Sequence, residues 1–165
     1  MKNLRIDDIW KIIENYRREF KLPGESGTQN MNLDQLKEID KDGLVSIGAH
    51  TLKHPILANE DNNSCESEIT GSIKELADIL GHEIKYFAYP NGFPDLDFGE
   101  REMAVLRQYN CRIAFSTDNK DFTSKDNPLS IPRYGISSNE SKYFVRFKFM
   151  LANYWQKLKD LKPGN

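Results

Sequence analysis

Two histidines stand four residues apart in Ile47-Gly48-Ala49-His50-Thr51-Leu52-Lys53-His54-Pro55, and the chain has only three. A neutral imidazole is the commonest side-chain ligand for a transition metal. Imidazoles at i and i+4 can converge on one ion when the backbone between them turns helically. The Thr51 hydroxyl can cap such a turn, and Pro55 ends it. The opposing reading is a pair of surface histidines that bind nothing, because this spacing also arises by chance.

The flanking elements must position the pair. Upstream, Leu33, Leu36 and Ile39 share one face of a short helix, Asn32 suits its N-cap, and Gly43 suits the left-handed position beyond its end. Residues 44–48 then alternate apolar and polar, which predicts a strand. The histidines would lie at the C-terminal mouth of that strand, where α/β sheets carry their chemistry. Elsewhere, an amphipathic helix is expected over 6–20, with Ile9, Ile13, Tyr16 and Phe20 on one stripe. A connector follows over 23–30. Asn63-x-x-Glu66 resembles a capping box opening a helix that Gly81 closes. A strand is expected over 84–89, then a turn-rich loop, then a helix opened by Asp97-x-x-Glu100 and running to residue 109. Strands over 112–117 and 129–136 flank a polar loop. A long amphipathic helix closes the chain, with Phe144, Phe147, Leu151, Tyr154, Trp155 and Leu158 inward. Alternating strands and helices imply parallel βα units. The fold class is therefore α/β, with about four parallel strands and flanking helices. Residues 1–165 make a single, partial domain. Residues 1–30 are its N-terminal helix and linker, and 141–160 its C-terminal amphipathic helix.

These residues carry a resemblance. The run from Asn32 to Leu57 resembles the metal-binding segment of the polysaccharide deacetylase family, the nodulation-type carbohydrate esterases. Phe87-Ala88-Tyr89-Pro90-Asn91-Gly92 resembles the family's next segment, a strand ending in an aromatic-Pro-x-Gly turn. Leu129-Ser130-Ile131-Pro132-Arg133-Tyr134-Gly135-Ile136 is similar to the last strand of the branch acting on exported polysaccharides. The resemblance implies a (β/α) barrel, which four strands are too few to close. It also implies metal-dependent hydrolysis of an N- or O-acetylated carbohydrate. A divalent metal, Zn or else Co, Ni or Fe, polarises the acetyl carbonyl and activates water, and a backbone N–H helps hold the oxyanion. His50 and His54 match the metal pair, and Thr51 the hydroxyl between them. Tyr89, Pro90, Asn91 and Gly92 match the substrate and oxyanion turn, with the Asn91 backbone N–H facing the oxyanion. Asn91 departs from the aromatic often found there, and Ala88 from an Arg. Thr51, Asp95 and Arg133 are candidates for the substrate rim; for Asp95 a turn role is simpler, and for Arg133 a rim ion pair serves equally.

The family's Asp-Asp-Gly segment has no clean counterpart. The only Asp-Asp is Asp7-Asp8, with no strand before it, no glycine after it and helical periodicity running through it. An acidic first turn favoured by the helix dipole accounts for it; a displaced catalytic base is the alternative. The N-terminal strands and Asp pair of the family are thus expected to be lacking, and with two protein ligands a metal site would be weak. A non-catalytic remnant or truncated fragment, acting as a carbohydrate-binding or scaffolding domain, is the alternative function. The third histidine, His82, falls at a helix end away from the strand mouth and suits carbonyls there. The general acid stays unassigned.

Composition narrows the rest. The chain has 165 residues, 38% hydrophobic and 29% charged, which suits a single globular domain. A net charge of −2 gives no reason to expect a nucleic acid partner. No apolar run is long enough to span a bilayer, and no signal-peptide pattern opens the chain, so the default location is cytoplasmic or envelope-associated. Cys65 and Cys111 define no disulfide framework. The apolar stripes of the terminal helices need cover from the sheet, from each other or across a homo-oligomer. Lys142, Arg146, Lys148, Lys157, Lys159 and Lys162 give the last helix a basic side; a solvated face explains it, with a membrane surface or anionic glycan as the alternative.

Overall fold

The computed structural model describes residues 3–21 and 30–150. At its centre, β1 (Tyr86–Ala88) pairs in parallel with β2 (Ile113–Phe115), Ala88 lying opposite Phe115. Ala49 joins on the β1 side through a parallel bridge to Phe87, and Ile131 on the β2 side through a bridge to Phe115. All four expected strand segments therefore lie side by side and parallel, but the outer two shrink to single bridges.

Each contraction has a local cause. Residues 44–48 stay irregular. Leu44 is 91% exposed and Val45 is also exposed, so the alternating pattern finds no surface to pack on. Pairing starts only at Ala49, whose N–H donates to the Tyr86 carbonyl and whose carbonyl accepts from Ala88 N–H, both at 2.9 Å. At the other edge, the Asn127 side chain caps a 3₁₀ turn at Pro128–Ser130. Ile131 then exchanges hydrogen bonds with Ala114 and Ser116, both at 2.8 Å. Pro132 follows and has no N–H to extend the ladder.

Four helices lie wholly within the described residues. α1 spans Ile6–Phe20 and α2 spans Leu33–Lys41. The α2 N-cap is Asn32, whose side chain accepts from Gln35 N–H while the Gln35 side chain accepts in return. Gly43 takes the left-handed conformation expected of it, φ +68°. α3 spans Asn62–Leu80 and closes at left-handed Gly81. Its cap is Asp61, which accepts from Ser64 N–H, and not Asn63. α4 spans Glu100–Gln108. The Glu102 side chain accepts from Gly99 N–H there, so this start lies two residues beyond the expected Asp97, whereas the α3 cap lies two residues before Asn63. Residues 142–150 are helical. The expected connector over 23–29, and the apolar positions Leu151, Tyr154, Trp155 and Leu158, lie outside the described residues.

The core forms where α3 and α4 cover the sheet. Cys65, Ile69 and Ile73 of α3 and Leu106 of α4 pack with Ile84, Phe87, Tyr89 and Ala114. Each fully buried Leu, Ile or Phe contributes about 1.5–3 kcal/mol. Both cysteines are free and buried, and burial pushes their thiols up to about 12 and about 11, so neither is a ready nucleophile. The buried carboxylates all have partners. Glu60 accepts from Arg5 and from Ile6 N–H, Asp97 from Phe93 N–H, and Glu102 from Gly99 N–H and Arg101.

Candidate functional site

His50 directly follows the Ala49 bridge, so the chain leaves the sheet with this imidazole at the C-terminal end of β1. Its Nδ1 lies 2.6 Å from the Ala88 carbonyl oxygen. A carbonyl only accepts, so Nδ1 carries the proton and Nε2 keeps its lone pair. Burial pulls the His50 pKa below the ordinary value; the Ala88 bond opposes this, and the charges of His54 and Arg133 add to the lowering. The His54 ring stands edge-on to it, with centroids 4.8 Å apart.

The rings converge by a different route from the helical turn that the spacing suggests. Thr51 and His54 both adopt positive φ, +65° and +60°. Such a conformation is rare for any non-glycine residue and more so for a β-branched one. The Thr51 hydroxyl accepts from His54 N–H at 3.1 Å, the capping role expected of it. A single oxygen of Glu68 also accepts Leu52 N–H at 2.9 Å and Lys53 N–H at 2.8 Å. Glu68 lies in α3 and is buried, so the strained loop hangs from a fixed anion. Gly71 of α3 leaves room for Leu52; a Cβ there would come within 2.6 Å of the Leu52 Cδ1. Glu68 carries no motif that marks it in the sequence. Its signal was an acid on the apolar stripe of a helix, between Cys65 and Ile69.

Tyr89 to Gly92 open from the same end of β1, immediately after the carbonyl that holds His50. Tyr89 is buried, donates its hydroxyl to the Leu129 carbonyl at 2.8 Å and stacks on Phe98 at 3.5 Å. Pro90 is buried beside it. Asn91 and Gly92 take positive φ, and Gly92 N–H donates to the Pro90 carbonyl at 2.6 Å. Thr117 closes the turn, its hydroxyl donating to the Asn91 carbonyl and its N–H to that of Gly92. Asn91 is exposed, and among the described residues nothing accepts from its backbone N–H.

The other candidates separate. Arg133 reaches the mouth: its Nε donates to the Ser116 carbonyl at 2.8 Å and its guanidinium lies over the Phe115 ring. Asp95 sits in a tight turn, with its N–H on the Phe98 carbonyl, and lines a groove with Ala58, Gly99 and Arg101 near the start of α4. Asp7 pairs with Lys53 of the histidine loop at 3.3 Å, and Asp8 pairs with Lys11 at 3.2 Å. His82 joins α2 to the end of α3 through Asp40 at 2.7 Å, and its Nδ1 meets the Glu83 carbonyl. Two adjacent imidazoles, one with its tautomer set, suit a borderline divalent ion in kind. Among the described residues, no group of three or more His, Cys, Asp or Glu is placed to hold one.

A family model described as "Polysaccharide deacetylase" matches residues 12–115. No curated protein matches the chain significantly. Several solved structures share the fold, among them the following three. A deacetylase of Streptococcus pyogenes, PplD in complex with acetate, has a TM-score of 0.64 at 23% identity, covering 74% of this chain and 52% of that one. IcaB from Ammonifex degensii has a TM-score of 0.60 at 20% identity, covering 79% and 64%. A polysaccharide deacetylase from Bacillus cereus has a TM-score of 0.61 at 19% identity, covering 82% and 46%. The chain thus spans roughly half to two thirds of the length of the structures it resembles.

Proposed function

This chain belongs to the polysaccharide deacetylase family, and on that premise we propose that its sheet mouth serves the metal-assisted removal of an acetyl group from an N- or O-acetylated carbohydrate. One observation carries the reading: the His50 imidazole is anchored on the Ala88 carbonyl with the His54 ring 4.8 Å away, beside the Tyr89–Gly92 turn. The family generally uses a divalent metal. His50 and His54 would hold it, with Zn as the best match to imidazole donors and Co, Ni or Fe as alternatives. Such an ion supplies a Lewis acid for the acetyl carbonyl and lowers the pKa of water.

The chain's own residues do the rest. The carbonyl bond on Nδ1 orients His50 and raises the donor strength of Nε2. The lowered pKa keeps this imidazole neutral, so binding an ion need not displace a proton. Thr51 and Glu68 hold the loop that carries His54. The Asn91 N–H is the candidate donor to the oxygen that gains charge, and Tyr89, Pro90 and Gly92 fix its direction. Arg133 is the candidate substrate contact at the rim, with Thr51 as a further rim position. Asp7 and Asp8 are the weaker candidates for the base, since both already pair with lysines.

A second reading, a non-catalytic carbohydrate-binding domain, draws support from the lack of a three-ligand group among the described residues. Calorimetric titration of zinc into the wild type, His50→Ala and His54→Ala tests the metal pair. Binding should weaken sharply in both variants, and three equal affinities would remove the site. Assays on acetylated chitooligosaccharides with added metal separate the two functions: turnover above a His54→Ala control supports the enzyme, and its absence in a zinc-binding protein supports the second reading.

A further inference from the structure

We propose that the C-terminal helix docks this domain onto an anionic lipid surface. This helix lies outside the histidine site. Tyr143, Phe144, Phe147 and Met150 recur at i, i+1, i+4 and i+7 of the helix over 142–150, which places them on one face. All four are exposed, Tyr143 to 69% and Met150 to 76%. Another face meets the domain: Phe149 sets its ring edge-on to Tyr134, and Val145 is half-buried. The helix is therefore attached on one side and leaves a second apolar stripe outward.

Charge identifies what covers that stripe. Lys142 and Arg146 border it on one side and Lys148 on the other, and 141–150 contain no acid. Lys142 lies over the Tyr143 ring and Lys148 over the Phe144 ring, so the bases rest against the stripe itself. Lys148 also pairs with Glu140, which leaves Lys142 and Arg146 as the freer charges. The sequence from 151 onward adds Lys157, Lys159 and Lys162 against one acid, Asp160. Six bases and one acid thus gather at the end of a chain whose net charge is −2. An aromatic stripe rimmed by bases matches the boundary of an anionic bilayer, where rings enter the headgroup layer and ammonium groups meet lipid phosphates. A two-fold pair of such helices would bring like charges together instead.

Co-sedimentation of the intact chain with phosphatidylglycerol–phosphatidylcholine vesicles tests this, with phosphatidylcholine alone as the comparison. The protein should pellet with the anionic vesicles and much less with the neutral ones. Replacing two bases together, Lys142→Gln with Arg146→Gln, should lower partition roughly twenty-five-fold, at about five-fold per base. Phe147→Glu should abolish it. Both changes lie on exposed positions, and circular dichroism checks that the fold survives. Equal partition to both lipids overturns the proposal, as does a wild type that stays in the supernatant. A dimer in solution that Phe147→Glu dissociates, without vesicle binding, would assign the stripe to a second copy instead.

Discussion

At Glu68, one carboxylate oxygen accepts two backbone N–H groups from the loop between the histidines. Removing it leaves both donors of a half-buried contact without their acceptor. Glu68→Ala should therefore lower stability by about 2–4 kcal/mol, read by chemical denaturation. Glu68→Gln keeps an acceptor oxygen and should lose less. If the two variants match the wild type, the loop does not depend on this anchor. The two histidines with shifted pKa values should titrate on opposite sides of the ordinary value of 6.5. His50 is lowered, mainly by burial. Its contribution to stability is present above the unfolded value and lost as pH falls through the folded one. His82 is raised, first by its bond to Asp40. Its contribution is present below the unfolded value and lost as pH rises through the folded one. Proton–nitrogen correlation spectra of the metal-free protein should show His50 with the lower midpoint, and Asp40→Asn should return His82 toward the ordinary value. The reverse order of midpoints would contradict both assignments.

Between elements, two glycines separate a rigid contact from a soft one. At Gly92 an added Cβ would meet the Tyr89 carbonyl oxygen at 2.8 Å, and φ is +73°. Backbone cannot step aside cheaply, so Gly92→Ala should cost about 1–3 kcal/mol and disturb the Asn91 turn. At Gly71 the clash is with the tip of Leu52, an exposed side chain. Leu52 can rotate away, and alanine gains about 1 kcal/mol of helix propensity, so Gly71→Ala should be neutral or mildly stabilising. Thermal melts of the pair decide it; a larger loss at Gly71 would show that Leu52 is fixed. The displaced helix starts teach the same lesson about competition. Asn63-x-x-Glu66 and Asp97-x-x-Glu100 both satisfy the capping pattern locally. Asp61 wins the first start because it caps Ser64 and also pairs with Arg5 at 2.8 Å. Asp97 is drawn from the second by Phe93 N–H.

Across the whole molecule, α1 is a lightly held arm. It buries none of its residues. Among the described residues its N-terminal end is tied down: Arg5 reaches Glu60, Asp61 and Ser64, Ile6 N–H meets Glu60, Leu4 meets Asn59, and Asp7 meets Lys53. Local opening should therefore release α1 before the core. Arg5→Ala should speed amide exchange along α1 and leave β1, β2 and α3 protected, as measured by hydrogen–deuterium exchange. Equal acceleration everywhere would make α1 part of the cooperative core.

The sequence by itself determined what short-range physics writes into it. Apolar periodicity marked α1 and α2, capping patterns marked α3 and α4, Asn32 and the left-handed Gly43 and Gly81 bounded α2 and α3, and His50, His54 and Tyr89–Gly92 stood out as the candidate site. Tertiary structure alone decided how the site is made. Two left-handed residues, not a helical turn, bring the imidazoles together, because Glu68 and the Ala88 carbonyl supply hydrogen bonds that no local pattern contains. It also decided how far each strand runs. A ladder extends only where a partner offers hydrogen bonds and a surface to cover, and both belong to residues distant in the chain.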